Sequence, residues 1–176
     1  MPLTDNTVTD RARKIRLLLL DCDGVLTDGS LFYDSQGESI KIFHIHDGQG
    51  LRLAREAGLK LGIISGRNSP ALAARAKEMM IDHLYHGVSN KLEIYERIKL
   101  AEGLRDEQIA YIGDDLPDLA PMRCAGLAIA VADAVDEVRE CAHLIINKPG
   151  GRGAIREAIE IILKSQKIWD NLIQRF

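Results

Sequence analysis

Apolar and polar positions fall into short blocks along this chain, and the blocks predict alternating strands and helices. Leu17–Leu20 form a continuous apolar run, and Leu59–Ile64 and Ile109–Ile112 form two further, largely apolar runs. Runs of this length without a polar face are typical of strands that are buried on both sides in a parallel sheet. Amphipathic segments separate the runs, as expected for helices that cover such a sheet. The pattern therefore predicts a three-layer α/β fold with a parallel sheet.

The same pattern gives approximate bounds for the elements. The predicted strands are 14–20, 59–64, 83–86, 109–112, 127–131 and 144–146. The predicted helices are 48–57, 70–80, 90–101, 116–124, 136–141 and 154–165. Asn90 is a typical helix cap, and Gly58 and Gly103 are typical of residues that end helices. We expect one domain over 15–166, preceded by a loose or weakly helical lead-in (1–14) and followed by a tail (167–176).

Residues 30–46 interrupt this alternation at a place where an α/β protein normally has a crossover helix. The segment SLFYDSQGESIKIFHIH alternates with period two on both sides of DSQG. This predicts a β-hairpin with a four-residue loop. His44 and His46 would then share one face of the second strand. Since no third ligand accompanies them, we expect substrate contact or packing from these histidines rather than a metal site.

Composition and charge exclude several classes of function. The net charge is −3, with 46% apolar and 28% charged residues, which gives no reason to expect a nucleic acid or a membrane surface as partner. No apolar run approaches the roughly 20 residues that span a bilayer, and the N-terminus lacks the apolar region of a secretory signal. Cys22, Cys124 and Cys141 are odd in number and have no CxxC spacing. We therefore expect reduced thiols in a cytoplasmic protein.

Chemistry is concentrated at the ends of the predicted strands. Asp21 and Asp23 follow the first strand one residue apart, and carboxylates held so close need a compensating cation or proton. Lys91, near the start of a helix, is the candidate cation. Further polar groups follow two later strands, and these are Ser65, Arg67, Asp114, Asp115 and Asp118. Because the carboxyl ends of parallel strands lie at one edge of a sheet, we expect all of these groups to converge.

This set of side chains favours phosphoryl transfer with Mg²⁺. Hard carboxylate oxygens favour Mg²⁺ over soft metals, and such sites typically share the ion with a substrate phosphate. The transition state of phosphoryl transfer needs charge stabilisation, which Lys91, Arg67 and the cation would provide. No GxxxxGK[ST] motif is present, and the GGRG segment at 150–153 is only weak evidence for a nucleotide.

Four motifs together resemble those of the haloacid dehalogenase superfamily of phosphatases. DCDGVLTDG (21–29) resembles the nucleophile motif, SGR (65–67) the second motif, Lys91 the third and GDDLPD (113–118) the fourth. Further segments, namely the hairpin, FHIHDGQG, SNK and GGRGAIRE, extend the resemblance over about residues 15–163. They are typical of the members without a large cap domain that act on an eight-carbon sugar acid phosphate in lipopolysaccharide precursor synthesis.

The resemblance implies a role for each motif residue. Asp21 would attack phosphorus and form an aspartyl-phosphate, while Asp23 would act first as general acid and then as general base. Mg²⁺ would be held by the side chains of Asp21 and Asp114 and by the backbone carbonyl of Asp23. Asp115 and Asp118 would support these ligands from behind.

The resemblance also implies the contacts to phosphate and substrate. Ser65, Gly66 and Lys91 would hold the phosphate oxygens. The remaining substrate positions are His44, Ile45, His46, Asp47, Gly48, Arg52, Arg67 and Arg75. The chain departs from the family here, because FHIHDG stands where an FNVRDG-like run is common. A histidine cannot pair with a substrate carboxylate bidentately as an arginine does, so Arg67, Arg75 or a neighbouring subunit would make that contact.

The resemblance further implies a homo-oligomer, with a tetramer as the expected form, because the hairpin alone is too small to cover the site. The GGRG region would help to close it. Two alternatives stay open from the sequence. One is a phosphatase for a nine-carbon sialic-type sugar 9-phosphate. The other is a receiver-like signalling domain, although there the acidic pair follows the first strand and the phosphorylated aspartate a middle strand, which is the reverse of the order here.

Overall fold

A computed structural model of the protein describes residues 6–174 and residue 176. The strands are Leu17–Leu20 (β1), Phe32–Asp34 (β2), Gly37–Ile40 (β3), Lys60–Ser65 (β4), His83–His86 (β5), Ile109–Gly113 (β6), Leu127–Ala130 (β7) and Leu144–Ile145 (β8). The helices are Asn6–Lys14 (α1), Ile45–Glu56 (α2), Pro70–Glu78 (α3), Lys91–Glu102 (α4), Leu119–Cys124 (α5), Asp136–Cys141 (α6), Ala154–Ser165 (α7) and Trp169–Ile173 (α8). One-turn 3₁₀ helices cover Asp106–Gln108 and Leu116–Asp118.

Six of the strands form one parallel sheet in the order β5-β4-β1-β6-β7-β8. Strand β1 lies in the middle, with Leu20 paired to Ile63 of β4 and to Ile112 of β6. All four leucines of β1 are fully buried, because helices cover both faces of the sheet. Helices α1, α2 and α7 pack together in one layer, and α4, α5 and α6 pack together in the other. The predicted three-layer α/β fold is thereby confirmed.

Both ends of the described chain pack against the core, whereas the sequence pattern predicted a loose lead-in and a tail. Helix α1 ends at Lys14, so the first strand begins at Leu17 and not at residue 14. Its side chains Val8 and Ala12 are buried in the core. At the other end, Trp169 of α8 is buried, and its ring lies 5.1 Å from Cζ of Arg156. The packed unit thus extends on both sides of the predicted range 15–166.

The predicted hairpin is present, but it is shorter and its loop is tighter than expected. Asp34 pairs with Gly37, so the loop contains two residues and not four; the Gln36 N–H donates to Oδ1 of Asp34 at 2.7 Å. The second strand ends at Ile40, and helix α2 begins at Ile45. The prediction that His44 and His46 share a strand face is therefore wrong. The alternating pattern continued past the end of the strand into the helix start.

Within the described part of the chain, no helix is both long enough and apolar enough to cross a membrane.

The hairpin carries the main exposed apolar surface near the carboxyl edge of the sheet. Phe32, Tyr33 and Ile40 are all exposed, with Tyr33 at 61%. Ile42 and Ile45 continue this exposed surface beyond the hairpin. We refer to these five residues as the hairpin surface.

Candidate active site

Asp21 lies at the carboxyl end of the central strand β1, where the sheet holds it firmly. Its N–H donates to the carbonyl of Ile112 at 3.1 Å, which continues the pairing with β6 by one residue. Directly after it, the carbonyl of Cys22 accepts from the N–H groups of Val25, Leu26 and Thr27 at 3.3, 2.9 and 3.0 Å. This tight turn folds the loop back over the strand end, and Asp21 is left buried.

Gly24 allows the loop after β1 to meet the loop after β6. Its φ of +91° lies in the left-handed region, and a Cβ at this position would stand 2.0 Å from Oδ2 of Asp114. Any side chain here would therefore strain the backbone and collide with the carboxylate. The glycine of the DxDG motif thus has a physical reason: it leaves room for Asp114.

Three carboxylates form a cluster at this edge. Ligand oxygens of Asp21, Asp114 and Asp118 all lie within 4.8 Å of one another. The three are not equivalent as ligands, since Asp118 has both oxygens engaged by protein donors. By contrast, Oδ1 of Asp114 is buried and has no hydrogen-bond partner among the described residues. A buried carboxylate oxygen without a donor fits a cation, and hard oxygens fit Mg²⁺. Asp21 and Asp114 are therefore the side chains that would hold the metal, in agreement with the sequence prediction.

Asp118 organises the cluster from behind. Its Oδ1 accepts from Nζ of Lys91 and from the Tyr111 hydroxyl, both at 2.8 Å. Its Oδ2 accepts from the N–H groups of Asp114 and Asp115 at 3.1 and 3.4 Å. The side chain of Asp115 points elsewhere, because its Oδ1 caps the 3₁₀ turn by accepting from the N–H of Leu116 at 2.8 Å. In the described structure, support for the metal ligands therefore comes from the side chain of Asp118 and the backbone of Asp115.

Lys91 supplies the positive charge at the centre of the site. It is the first residue of α4, whose N-terminus is capped by Oδ1 of Asn90, which accepts from the N–H of Glu93 at 3.3 Å. Its Nζ lies 2.8 Å from Oδ1 of Asp21 and 2.8 Å from Oδ1 of Asp118. The predicted cation is thus placed directly between two of the acids.

Burial and mutual repulsion shift the protonation of this cluster. Burial, with the charge of Asp118 added, raises the pKa of Asp21 from 3.8 to about 7. Burial together with the charge of Asp21 raises the pKa of Asp114 to about 8. Burial opposes the charge on Lys91, but the adjacent carboxylates outweigh it and its pKa is raised. The metal-free site therefore holds protons near neutral pH that a cation would displace.

Asp23 lies beside Asp21 but has different neighbours. Its Oδ1 forms an ion pair with Nζ of Lys41, and its Oδ2 lies 3.9 Å from Nε of Arg67. Arg67 also donates to the Tyr33 hydroxyl on the hairpin. Asp23 and Arg67 lie at this edge, as the sequence predicts, whereas the position of Lys41 beside Asp23 was not predicted. The only available signal was a lysine in an otherwise apolar alternation, and that is not specific.

The second motif lies at the end of β4, next to β1. Ser65 is buried, and its hydroxyl accepts from the N–H of Arg67 at 3.3 Å. Its carbonyl accepts from the N–H of Val88 at 3.1 Å, which ties this loop to the segment before Lys91. Gly66 is exposed at the same edge. The Ser65 hydroxyl is thus engaged with the backbone of Arg67, at the end of the strand that neighbours β1.

The predicted substrate residues divide between two places. Arg67 lies beside Asp23. A separate cavity of about 240 Å³ is lined by other residues, among them Ile45, Gly48, Arg52 and Arg75. Arg75 donates to Glu78 at 2.8 Å and stacks over Phe43, and its Nε is buried without a hydrogen-bond partner among the described residues. Arg52 pairs with Glu56 at 3.0 Å. The structure does not bring these arginines and Arg67 together within one described cavity.

The histidines and Asp47 belong to the start of α2. His44 is its N-cap, and its Nδ1 accepts from the N–H of His46 at 3.3 Å, with the two rings in edge contact at 5.0 Å. Asp47 is completely buried, and its two oxygens accept from the N–H groups of Gly153 and Arg156 at 3.0 and 2.8 Å. Its carboxylate therefore caps helix α7, and a direct contact from this side chain to substrate is not supported.

The GGRG segment is part of the site's support. The N–H of Gly151 donates to the carbonyl of Val25 at 2.9 Å, within the nucleophile motif DCDGVLTDG (21–29), which forms the catalytic loop. A Cβ on Gly150 would lie 1.7 Å from the carbonyl oxygen of Gly24. The segment approaches the catalytic loop this closely only because it has no side chains there. A wider cleft of about 980 Å³ lies at the opposite edge of the sheet and contains none of the predicted site residues.

The convergence of an acidic pair, a hydroxyl, a lysine and a second acidic motif at one sheet edge defines a class of phosphate-ester hydrolases. Residues 72–159 match the family model of the haloacid dehalogenase-like hydrolases. The chain belongs to this family.

Within this family, the chain is similar to individual relatives of known sequence and structure. The chain is 42% identical to the 3-deoxy-D-manno-octulosonate 8-phosphate phosphatase of Yersinia pestis, over 94% of this chain and 88% of that protein. It resembles the solved structure of the same enzyme from Moraxella catarrhalis, described in complex with magnesium ion, phosphate ion and KDO, with a TM-score of 0.94 and 40% identity over 97% of this chain and 98% of that one. The solved structure of the cobalt-bound deoxy-D-mannose-octulosonate 8-phosphate phosphatase from Haemophilus influenzae is also similar. Its TM-score is 0.87 at 38% identity, over 89% of this chain and 92% of that one.

Proposed function

We propose that this chain is a Mg²⁺-dependent phosphatase that hydrolyses 3-deoxy-D-manno-octulosonate 8-phosphate to the free sugar acid and phosphate. The observation that carries the proposal is the placement of Lys91 between Asp21 and Asp118, 2.8 Å from each, beside the open oxygen of Asp114. Family membership makes the chain a phosphoric monoester hydrolase. The substrate is inferred from relatives that share about 40% of their residues with it over nearly the whole chain.

The first half of the reaction uses Asp21 as nucleophile. A carboxylate oxygen of Asp21 attacks phosphorus, the bond from phosphorus to the sugar oxygen breaks, and an aspartyl-phosphate forms. The carboxyl of Asp23 gives its proton to the departing sugar oxygen. Lys91 and the N–H groups of the Ser65 loop hold the phosphate oxygens. Bound Mg²⁺ would screen the repulsion between the phosphate and the carboxylates and orient the phosphoryl group.

The second half regenerates the enzyme. Asp23, now a carboxylate, takes a proton from a water molecule, and the oxygen of that water attacks the phosphorus of the aspartyl-phosphate. The bond between phosphorus and Asp21 breaks, and inorganic phosphate leaves. Asp118 keeps Lys91 and the Asp114 backbone in place throughout, since its two oxygens accept from these groups, from Tyr111 and from the N–H of Asp115. The acid/base role of Asp23 is what a receiver-like domain lacks, so the site favours hydrolysis over stable phosphorylation.

The test is kcat/KM measured as phosphate release across a panel of phosphate esters, with and without Mg²⁺. The panel contains the eight-carbon keto-acid 8-phosphate, a nine-carbon sialic-type 9-phosphate and simple hexose phosphates. We expect the eight-carbon ester to be preferred by at least about tenfold, which corresponds to about 1.4 kcal/mol of differential transition-state binding. Preference for the nine-carbon ester would overturn the substrate assignment. This ester is included because His44 and His46 depart from the residues that are common in the family at these positions. The Asp21→Asn protein serves as the control for contaminating phosphatase.

We also propose that the enzyme is a cytoplasmic homo-oligomer, expected to be a tetramer, in which hairpins pack between subunits. The hairpin surface supports this, since apolar side chains such as Tyr33 and Ile40 are exposed on an element too small to close the site by itself. The three cysteines are free. Sedimentation of the wild-type protein and of Ile40→Lys tests the assembly. A fully active wild-type monomer would contradict it.

A further inference from the structure

Lys41 is a buried cation that neither the motifs nor the proposed mechanism uses. It follows the last residue of β3, Ile40, and leads from the hairpin towards the catalytic loop. Only 1% of its side chain is exposed, although the adjacent Ile40 and Ile42 are both exposed. Its ammonium pairs with Oδ1 of Asp23. Lys41 therefore points inwards from the end of the hairpin, to the predicted acid/base.

A lysine in this position is costly to bury. Removing an ammonium from water is unfavourable unless a charge partner repays it, and fixing a long side chain costs rotamer entropy. Apolar residues would fill such a position at lower cost if packing were its only purpose. The carboxylate that pairs with Lys41 and offsets this cost is Asp23. Asp23 is also the residue that transfers a proton in both halves of the proposed reaction. This coincidence indicates a functional reason for the pair.

The two oxygens of Asp23 have unequal surroundings. Oδ1 is held by Lys41, whereas Oδ2 is buried, has no hydrogen-bond partner among the described residues and lies 3.9 Å from Nε of Arg67. A carboxylate fixed at one oxygen can present only the other to a reacting group. The pairing therefore fixes the rotamer of Asp23 and leaves Oδ2 as the oxygen without a hydrogen-bond donor among the described residues.

We propose that Lys41 is a positioning residue that fixes Oδ1 of Asp23 so that Oδ2 carries the proton to and from the reacting oxygens. The inference rests on the proposed phosphatase function and deepens it. Lys41 acts through Asp23, with which it pairs. It also gives the hairpin a role in catalysis, because the same short element that bears the exposed hairpin surface orients the acid/base.

The test compares two leaving groups in the Lys41→Met protein. An alkyl sugar phosphate needs its leaving oxygen protonated, whereas p-nitrophenyl phosphate has an acidic leaving group that departs without help. General acid catalysis typically contributes about 10²- to 10⁴-fold, so misplacing the acid should lower kcat/KM for the sugar phosphate by on the order of 10- to 100-fold. For p-nitrophenyl phosphate we expect a loss within about threefold. Lys41→Arg should recover part of the activity on the sugar phosphate.

Controls separate this role from a structural one. Lys60→Met removes a lysine that pairs with Asp82 at 3.1 Å at the opposite edge of the sheet, and it should leave both substrates unaffected. In the Asp23→Asn background, Lys41→Met should cause no further loss, because the partner through which it acts is already disabled. Equal losses on both substrates, or an additive loss in the double variant, would overturn the proposal. The alkyl substrate is whichever sugar phosphate the wild-type enzyme hydrolyses best, so a wrong substrate assignment leaves this test intact.

Discussion

Lys91 and Asp118 form an ion pair inside the protein, with Nζ 2.8 Å from Oδ1 and no exposed surface on Asp118. The pair is not isolated, because Lys91 also contacts Asp21 and because Asp118 also accepts from Tyr111 and from the backbone of Asp114. Asp21 and Lys91 are thus linked to the backbone of Asp114 through one buried carboxylate. Stability and catalysis should be lost together when this carboxylate is altered.

Asp118→Asn is expected to damage both properties. An amide can accept only at its oxygen, so either Lys91 and Tyr111 or the N–H groups of Asp114 and Asp115 lose their acceptor. Breaking a buried pair by changing one partner typically costs about 3–5 kcal/mol, and the remaining contact of Lys91 with Asp21 should reduce this to about 2–3 kcal/mol. We expect kcat to fall by at least about tenfold. Urea unfolding and phosphate release measure the two effects.

Asp115→Asn is the matched control for this variant. Asp115 is exposed and its Oδ1 accepts from the N–H of Leu116, a bond that an asparagine oxygen can also make. Its stability should change by less than about 0.5 kcal/mol. An Asp118→Asn protein as stable and active as Asp115→Asn would show that the buried pair has no organising role.

Asp21→Asn separates activity from stability. Turnover should fall by about 10⁴-fold or more, because the amide cannot form an acyl phosphate. At the same time the melting temperature of the metal-free protein should rise. Burial and the charge of Asp118 raise the pKa of Asp21 to about 7, which means that the folded state disfavours its ionised form. A neutral isostere removes that cost. Calorimetry in EDTA and single-turnover phosphate release check the two parts, and substantial retained turnover would refute Asp21 as nucleophile.

The stability of the metal-free protein should depend on pH in a defined direction. The pKa values of Asp21 and Asp114 are raised from 3.8 to about 7 and about 8, first by burial and then by the charge of Asp118 on Asp21 and of Asp21 on Asp114. Between about pH 4 and pH 8 the folded state therefore binds protons that the unfolded chain has released, and stability falls as pH rises through this window. Bound Mg²⁺ needs both carboxylates ionised. It should raise the melting temperature more at about pH 8 than at about pH 5.5.

The control for this pH dependence is the Asp21→Asn protein measured under the same conditions. It removes one of the two titrating carboxyls, so both the fall in stability with pH and the gain from Mg²⁺ should become smaller. A Mg²⁺ effect that is equal at both pH values in the wild-type protein would contradict the assigned protonation of the cluster.

Gly24→Ala should weaken metal binding strongly while the protein still folds. The new Cβ would stand 2.0 Å from Oδ2 of Asp114, at a φ of +91°. A non-glycine residue in the left-handed region costs about 1–2 kcal/mol by itself, and the displaced carboxylate adds to this. We expect the Mg²⁺ requirement, measured as the concentration for half-maximal activity, to increase at least about tenfold. Gly29→Ala is the control: its φ is +77°, but the nearest atom to the new Cβ is 3.8 Å away. Gly29→Ala should therefore show the backbone cost without the metal defect.

Asp47→Asn tests whether the start of α7 supports the catalytic loop. Each carboxylate oxygen accepts a backbone N–H, from Gly153 and from Arg156, and an amide can satisfy only one of them. Leaving a buried N–H unsatisfied costs about 1–3 kcal/mol. The GGRG segment also bonds the loop through Gly151 and Val25, so kcat should fall by about three- to tenfold as well. Asp82→Asn, which alters an acceptor for the Leu61 N–H at the opposite edge, should cost stability without loss of kcat.

The fold and the site's location were predictable because both depend on local pattern. The leucines of β1 and the apolar residues of β4 and β6 have no polar face, and parallel pairing then forces their following acids to one edge. The pairing of Lys41 with Asp23, by contrast, depends on the path of the chain after the hairpin, which the local pattern does not predict. Asp47 was assigned to substrate by its neighbours in sequence, yet it caps a helix that begins more than a hundred residues later. His44 and His46 kept a strand-like alternation although the helix had already begun. In each case tertiary contacts decided the outcome.

The central position of β1 also has a consequence for how activity is acquired during folding. The catalytic loop is completed by Lys91, by Asp114 and by Gly151, so its contacts span about 130 residues of chain, from Asp21 to Gly151. Contacts of such large sequence separation form late, after the entropy of closing long loops has been met. A partly folded chain can contain every helix and still hold no catalytic constellation. Phosphate release during refolding would therefore report that β1, β4 and β6 have paired and that the segment around Gly151 has docked.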